Sequence, residues 1–492
     1  MPQDRPNFIV VTTDQQRYDT LGVTGNDIVK TPHFDALAGR GTLFTRAYTQ
    51  NPVCIPSRAC LHTGRYCHQH GVQYMEAEID TTPPLPPWET TFMERLQGAG
   101  YRTGAVGKIH MMEPKGYHEM QLTGGKGARW TQQIGQDIGP APLGQAYAAW
   151  LEKKRPGAYE DIYEQRRRPE YKDQRGAIIN CLDEDEYVDY WAAEMAIEFL
   201  QRRDGSEPWM LWVGFCGPHG PADPPRHYAE MYDIAEMPVP YTWLCDCADK
   251  PEFMRRKHVP ADISPQDRLI LQRWHAYYYA EMTFIDDMIG RILEQLHQQG
   301  FADDTIVITT SDHGEMLGHL GRWGKGNFLE QVTRMPTIVS LPGGNPVREF
   351  PGLVENFRIA PTVLDYAGVA PPPEMTATSL RPILEGNGEA QESALCEYVD
   401  NFRQKAGACV RTERYKYARW TNIAADYPYT GELYDMANDP EESRNLWHDP
   451  DYAQVRRELA ELLSDRFLTS QEPAYTSWLH QPPEHVLRKG QE

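Results

Sequence analysis

The sequence predicts an α/β protein: a large mixed, mostly parallel sheet sandwiched by helices, followed by a smaller C-terminal α+β domain of antiparallel strands and a helix. Three observations predict it. Apolar and β-branched runs end in polar residues at three widely separated points, helical stretches alternate with those runs, and the texture changes after about residue 370.

The first run, Asn7 to Thr13, ends at Asp14, and its unbroken apolar character is that of a strand buried on both faces. Pro208 to Phe215 and Thr305 to Thr310 repeat the pattern, ending in Gly217-Pro218-His219 and Ser311-Asp312-His313. Helices are expected at 89–98, 186–202 and 266–298. In sheets of this kind ligands sit beyond the carboxyl ends of the strands, which is where these polar residues fall. The segment 113–185 is polar and rich in Gly and charge, and reads as an irregular insertion near the pocket mouth. Its Arg166-Arg167-Arg168 run reads as a solvated face. These elements fill a first domain over 1–370.

Ala370-Pro371-Pro372-Pro373-Glu374 reads as the linker to a second domain over 371–492. That domain carries short antiparallel strands at 408–412, 415–420 and 432–435, the turn Asn438-Asp439-Pro440, and a helix at 451–468. The tail from Tyr475 to Glu492 reads as extended and could reach a second subunit, so a homo-oligomer is an expectation.

A net charge of −21 argues against nucleic acid and anionic membrane surfaces as partners. It also repels anionic substrates at long range, so a site for one must be locally basic. The nine cysteines form no Cys-x-x-Cys pair, which indicates neither a zinc ribbon nor a disulfide framework. The N-terminus shows no secretory h-region and no run reaches transmembrane length, so the expected location is cytoplasmic.

Candidate metal ligands end two of the strands. Asp14 and Gln15 follow the first, Asp312 and His313 follow another some 300 residues later. Carboxylate and amide oxygens suit hard divalent ions, and an imidazole widens the choice toward manganese or zinc. Separately, Asp14 could be a helix cap and Asp312-His313-Gly314 a turn.

The stretch Cys54-Ile55-Pro56-Ser57-Arg58, with Leu61 and Thr63-Gly64-Arg65 behind it, resembles the signature of type I sulfatases. A lone buried cysteine is ordinarily inert. In that family it is oxidised to formylglycine, an aldehyde whose hydrate offers one hydroxyl to attack and one to expel the product. The resemblance extends through Thr31-Pro32-His33-Phe34-Asp35, Gly107-Lys108-Ile109-His110, Ser311-Asp312-His313-Gly314-Glu315 and Glu432-Leu433-Tyr434-Asp435. It covers most of the chain outside 113–185, 240–262 and the last twenty residues. It implies an alkaline-phosphatase-like fold, one divalent ion (Ca2+ or Mn2+) held by Asp14, Gln15, residue 54, Asp312 and His313, and a separate maturation enzyme that makes the formylglycine.

The implied reaction is hydrolysis of a small sulfate monoester through a covalent sulfate hemiester on residue 54, released by C–O cleavage. Arg58 stabilises the ionised gem-diol, and Lys108 and Lys325 neutralise the sulfuryl oxygens. His219 or Lys325 protonates the leaving oxygen, and His110 is the base of the second step. Many sulfatases carry paired aspartates after the first strand and Asp-Asn at the second metal motif. The Asp14-Gln15 and Asp312-His313 pairs instead resemble the branch holding phosphonate monoester hydrolases and choline sulfatases, which keeps a phosphonate monoester or phosphodiester hydrolase as an alternative. Arg322 to Phe328 also resembles choline sulfatase. A non-catalytic binding protein on the same fold would need a broken constellation, and none of the expected residue types is missing. Tyr74, Glu76 and Glu78 follow the signature and are candidate substrate residues, or else a solvated loop.

Overall fold

A computed structural model describes residues 5–74, 84–111, 113–126, 146–256, 258–401, 404–422 and 430–470. Its centre is an eight-stranded sheet in the order β4-β3-β5-β1-β6-β7-β2-β8. These strands are β1 (Asn7–Asp14), β2 (Thr42–Tyr48), β3 (Arg102–Gly107), β4 (Glu119–Leu122), β5 (Trp209–Pro218), β6 (Thr305–Ser311), β7 (Arg334–Ser340) and β8 (Glu349–Glu355). Every pairing is parallel except those of β7, which runs antiparallel to both β6 and β2 and makes the sheet mixed.

The three runs read as strands are the three adjacent central ones, β5, β1 and β6, and every residue in them is buried. Their apolar continuity follows from having helices on both faces. The long helix Pro265–Gln298 starts where Ser264 accepts a hydrogen bond from the Asp267 N–H with proline at the first turn. It buries Tyr278, Phe284, Ile285 and Ile289 against one face of the sheet, together with the helix Val188–Gln201. On the other face Phe92, Leu96, Ile359 and Val363 pack on Phe8, Val10 and Trp212. No helix among the described residues is long and apolar enough to cross a membrane.

Three expectations need correction. The segment 113–185 is not irregular where it is described: helices Ala146–Lys154 and Ala158–Arg167 bury Tyr147, Leu151, Tyr159 and Ile162 in the main core. Short amphipathic helices whose apolar face is largely Tyr and Ala look polar in one dimension. Arg166 is not solvated either; it turns inward to Asp223 at 3.1 Å, while Arg167 and Arg168 are exposed. The linker is irregular, but Met375, Leu380 and Ile383 beyond it still belong to the core of the large sheet.

The small sheet has four antiparallel strands in the order β12-β11-β10-β9, built from β9 (Ser393–Asp400), β10 (Lys405–Thr412), β11 (Tyr415–Asn422) and β12 (Thr430–Asp435). Strand β9 was absent from the sequence expectation. The helix Ala453–Ser470 covers this sheet, and Leu395, Val410, Leu433 and Leu459 join Cys60, Tyr66 and Cys67 in one cluster. The smaller sheet therefore backs the segment carrying the sulfatase-like signature.

Candidate active site

Five chain segments converge at the carboxyl end of the sheet. Strand β1 delivers Asp14 and Gln15, β3 delivers Lys108 and His110, β5 delivers His219, and β6 delivers Asp312 and His313. Opposite them stands the N-terminus of the helix Cys54–Thr63, with Cys54 as its first residue and Arg58 one turn later. Close approach at the ends of β3 and β5 requires glycine. Gly107 has φ +77°, and a side chain there would collide with the Gly214 carbonyl.

Arg58 is the keystone. Fully buried, it donates from Nη2 to Asp14 Oδ2 at 3.1 Å, from Nε to Asp312 Oδ2 at 2.9 Å, and from Nη1 to the Lys108 carbonyl at 3.1 Å. Lys108 Nζ meets the same Asp14 oxygen at 2.7 Å. Burial alone would raise the Asp14 carboxyl, but Lys108 and Arg58 hold it well below the usual range. Burial likewise works against the Lys108 ammonium, and Asp14 more than restores it.

Cys54 Sγ accepts from Lys325 Nζ at 2.8 Å and lies 3.1 Å from His313 Nε2 and 4.0 Å from Asp14 Oδ1. Lys325 Nζ also donates to Gln15 Oε1 at 2.9 Å. Burial, and next to it Asp14, push the Cys54 thiol up to about 11, so it remains protonated at neutral pH.

The three histidines are neutral, each held below its ordinary value by burial. Two have defined tautomers. His313 Nδ1 donates to the Gly314 carbonyl at 2.9 Å, so its Nε2 lone pair faces the cluster. His219 Nδ1 donates to the Gly220 carbonyl at 2.7 Å, leaving Nε2 unprotonated and 4.0 Å from Asp14 Oδ1. His110 sits at φ +55°, and after burial the Lys108 charge is what lowers it most.

Ligand atoms of Asp14, Cys54, Asp312 and His313 all lie within 4.8 Å of one another. Asp312 Oδ1 accepts from the backbone N–H of Gln15 and of His313, which fixes its orientation. Two carboxylates, an amide oxygen and an imidazole lone pair suit a divalent ion of intermediate hardness. A second cluster, Cys60, Cys67 and His70, does not match that chemistry. His70 Nδ1 accepts from the Val72 N–H, so the neutral ring carries its proton on Nε2, toward Cys60 Sγ.

Every sequence-predicted catalytic and metal residue is therefore in this one cluster. Tyr74 is only half-buried at the edge of a described segment, and Glu76 and Glu78 lie outside the described residues. Sequence reasoning missed Glu315, which accepts from the Gln15 amide and from the Gly324 and Leu317 N–H groups. Its position two residues after His313 was the available signal. It also missed Ser57, whose hydroxyl donates to the Asp312 carbonyl at 2.6 Å.

Known proteins match the chain over most of its length. A sequence model of the sulfatase family matches residues 6–369, and one described as the C-terminal part of N-sulphoglucosamine sulphohydrolase matches 318–468. An arylsulfatase of Clostridium perfringens is 29% identical over 490 residues, covering 96% of each chain. A choline-sulfatase of Rhizobium meliloti is 26% identical, over 92% of this chain and 84% of its own. The phosphonate monoester hydrolase of Agrobacterium radiobacter superposes with a TM-score of 0.77 at 26% identity, over 95% of this chain and 96% of that one. The chain belongs to the sulfatase family of sulfate ester hydrolases.

Proposed function

We propose that the protein hydrolyses sulfate monoesters with residue 54 as nucleophile, after a maturation enzyme has converted Cys54 to formylglycine. The observation that carries this reading is the placement of Cys54. The thiol is fully buried at the focus of Arg58, Lys108, Lys325 and two carboxylates, with Lys325 Nζ 2.8 Å and His313 Nε2 3.1 Å from its sulfur. A site so basic around so poor a nucleophile makes sense if an oxygen replaces the sulfur. The modified residue supplies a hydroxyl at that position.

The chain's own groups divide the remaining work. Lys108 and Lys325 flank the space in front of residue 54, where fixed cations balance the sulfuryl oxygens in a water-poor site. Lys325 holds N–H donors toward the reacting centre and supplies the proton to the departing alcohol. That proton passes to the alcohol directly or through His219, which is neutral with its Nε2 lone pair open and therefore relays the proton rather than starting with it. His110, neutral through burial, takes the proton in the second stage. A divalent ion, held by Asp14, Gln15, Asp312, His313 and residue 54, would supply Lewis-acid charge that lowers the basicity of the attacking oxygen. The imidazole donor favours Mn2+ over Ca2+.

The mass of the peptide containing residue 54, from active protein, tests this. We expect the loss that accompanies exchange of a thiol for an aldehyde oxygen. Cys54→Ser is expected to retain one equivalent of sulfate per chain without turnover, because serine lacks the second hydroxyl. Unmodified cysteine in fully active protein, or full turnover by the serine variant, overturns the proposal. A second reading, hydrolysis of phosphonate monoesters or phosphodiesters, draws support from Gln15 and His313 and from the phosphonate monoester hydrolase likeness. Turnover of an aryl phosphonate relative to an aryl sulfate distinguishes the two.

A further inference from the structure

Beside the two candidate proton donors, three side chains from separate segments meet at the rim of the site. Trp274, on the helix Pro265–Gln298, packs against Gly220, with its Cη2 3.0 Å from where a Cβ would stand; Gly220 is the residue whose carbonyl orients His219. Trp323 lies two residues before Lys325, and its ring centroid is 5.2 Å from that of Trp274 at an interplanar angle of 57°. Arg175 places its guanidinium 5.7 Å over the Trp323 ring. It is exposed and pairs with no carboxylate among the described residues, whereas the neighbouring Arg166 is consumed by Asp223. Pro221, in the His219 loop, packs on Gly176, so Arg175 is anchored beside that loop.

We propose that Trp274, Trp323 and Arg175 form the leaving-group subsite, and that the ester it selects is the sulfate of a ring-shaped alcohol bearing a second anionic group. This rests on the sulfate ester reading above. Trp274 packs on the residue after His219 and Trp323 stands two residues before Lys325, so a group attached to the oxygen those two side chains serve extends toward the indole pair. Two indole faces suit a flat or cyclic skeleton, arene or sugar, and favour neither by themselves. The exposed guanidinium, which pairs with no carboxylate among the described residues, calls for an anion on the group beside it. A cationic leaving group would meet Arg175 with like charge, which separates this chain's preference from that of a choline ester.

The test compares kcat/KM for phenyl sulfate, carboxyphenyl sulfate, a hexose monosulfate, a hexose disulfate and choline sulfate. Wild-type enzyme is expected to prefer the doubly anionic member of each ring pair and to turn over choline sulfate least; the better pair identifies arene or sugar. In Arg175→Met the ratio of doubly to singly anionic substrate should fall about tenfold, the scale of one charge-assisted hydrogen bond. Arg175→Lys should recover part of that ratio, and Arg175→Glu should shift preference toward choline sulfate. Arg175 is exposed, so these variants leave the core intact. Turnover of the sulfates with an unchanged ratio in Arg175→Met, or choline sulfate as the best substrate, overturns the subsite alone. No turnover of any sulfate beside hydrolysis of a phosphonate ester overturns the sulfate reading and the subsite's substrate with it.

Discussion

Two side chains can deliver a proton to the alcohol oxygen that leaves the sulfur when residue 54 attacks it, and they enter the reaction in different states. His219 is neutral, and its one ring proton is committed to the Gly220 carbonyl. Lys325 donates toward Cys54 and Gln15 from the same side. Lys325→Met should therefore lower kcat for an alkyl sulfate, whose leaving oxygen needs a proton, by roughly 10²-fold or more. For a nitrophenyl sulfate, which departs as a stable anion, the loss should be much smaller. Comparing the two substrates removes the charge-balancing role of Lys325, which affects both; equal losses would assign the proton to another group. The residues with chemistry were legible in the sequence because the motifs hold them close together or at strand ends. Glu315 and Ser57 were not, since they act on Gln15 and on the Asp312 backbone, and neither partner is near in sequence.

Among the elements, the loop after β5 shows how a catalytic side chain is held. Asp189 accepts from the N–H groups of Cys216 and Gly217, and Glu281 accepts from the Asp223 N–H at 2.8 Å. Lys126 Nζ donates to the Pro221 carbonyl at 2.9 Å and lies 3.6 Å from Asp223 while pairing with Glu281. The His219 loop is thus gripped on both sides by hydrogen bonds to buried acidic groups and from Lys126. Lys126→Met leaves Glu281 and Asp223 without that cation, and should cost about 3 kcal/mol of stability. If the pair positions His219, kcat should also fall in folded protein with little change in KM. Urea unfolding with steady-state kinetics checks both, and a lost midpoint with unchanged kcat would make the network purely structural. None of this was readable along the chain. Lys126 sits in a segment that looked irregular, Arg166 looked solvated, and their partners lie 155 and 57 residues away.

Across the whole molecule, the apolar runs of β5, β1 and β6 made the parallel core readable, because strands buried on both faces advertise themselves. Edge strands such as β8, interrupted by Pro351 and Gly352, and β9, which carries Glu397 and Asp400, lack an unbroken apolar run, and the sequence pattern does not separate them from loops. The contact between the two sheets was equally hidden, and it bears on the site. Lys405 of β10 donates to the Gly326 carbonyl at 3.2 Å, next to Lys325, and Lys416 of β11 donates to the Phe328 carbonyl at 2.9 Å. Two residues on, Glu330 meets Lys416 at 2.7 Å and Arg411 at 3.2 Å, and Glu442 shares Lys416 from the other side at 2.7 Å. Burial alone would raise the Glu330 carboxyl, but Lys416 and then Arg411 pull it far below its ordinary 4.5. A carboxyl depressed on folding contributes stability above the unfolded value, and that contribution drains away as pH falls through 4.5 toward the folded value. Glu330→Gln should cost roughly 3 kcal/mol at neutral pH, since it leaves Arg411 and Lys416 with one carboxylate fewer. Below about pH 4.5 the gap between variant and wild type should narrow, because the wild-type carboxyl is then losing its own advantage. Unfolding midpoints followed from neutral pH down to about 3 will show that convergence; two curves that stay parallel would mean that the link between the sheets, and the anchoring of the Lys325 segment with it, does not depend on this charge.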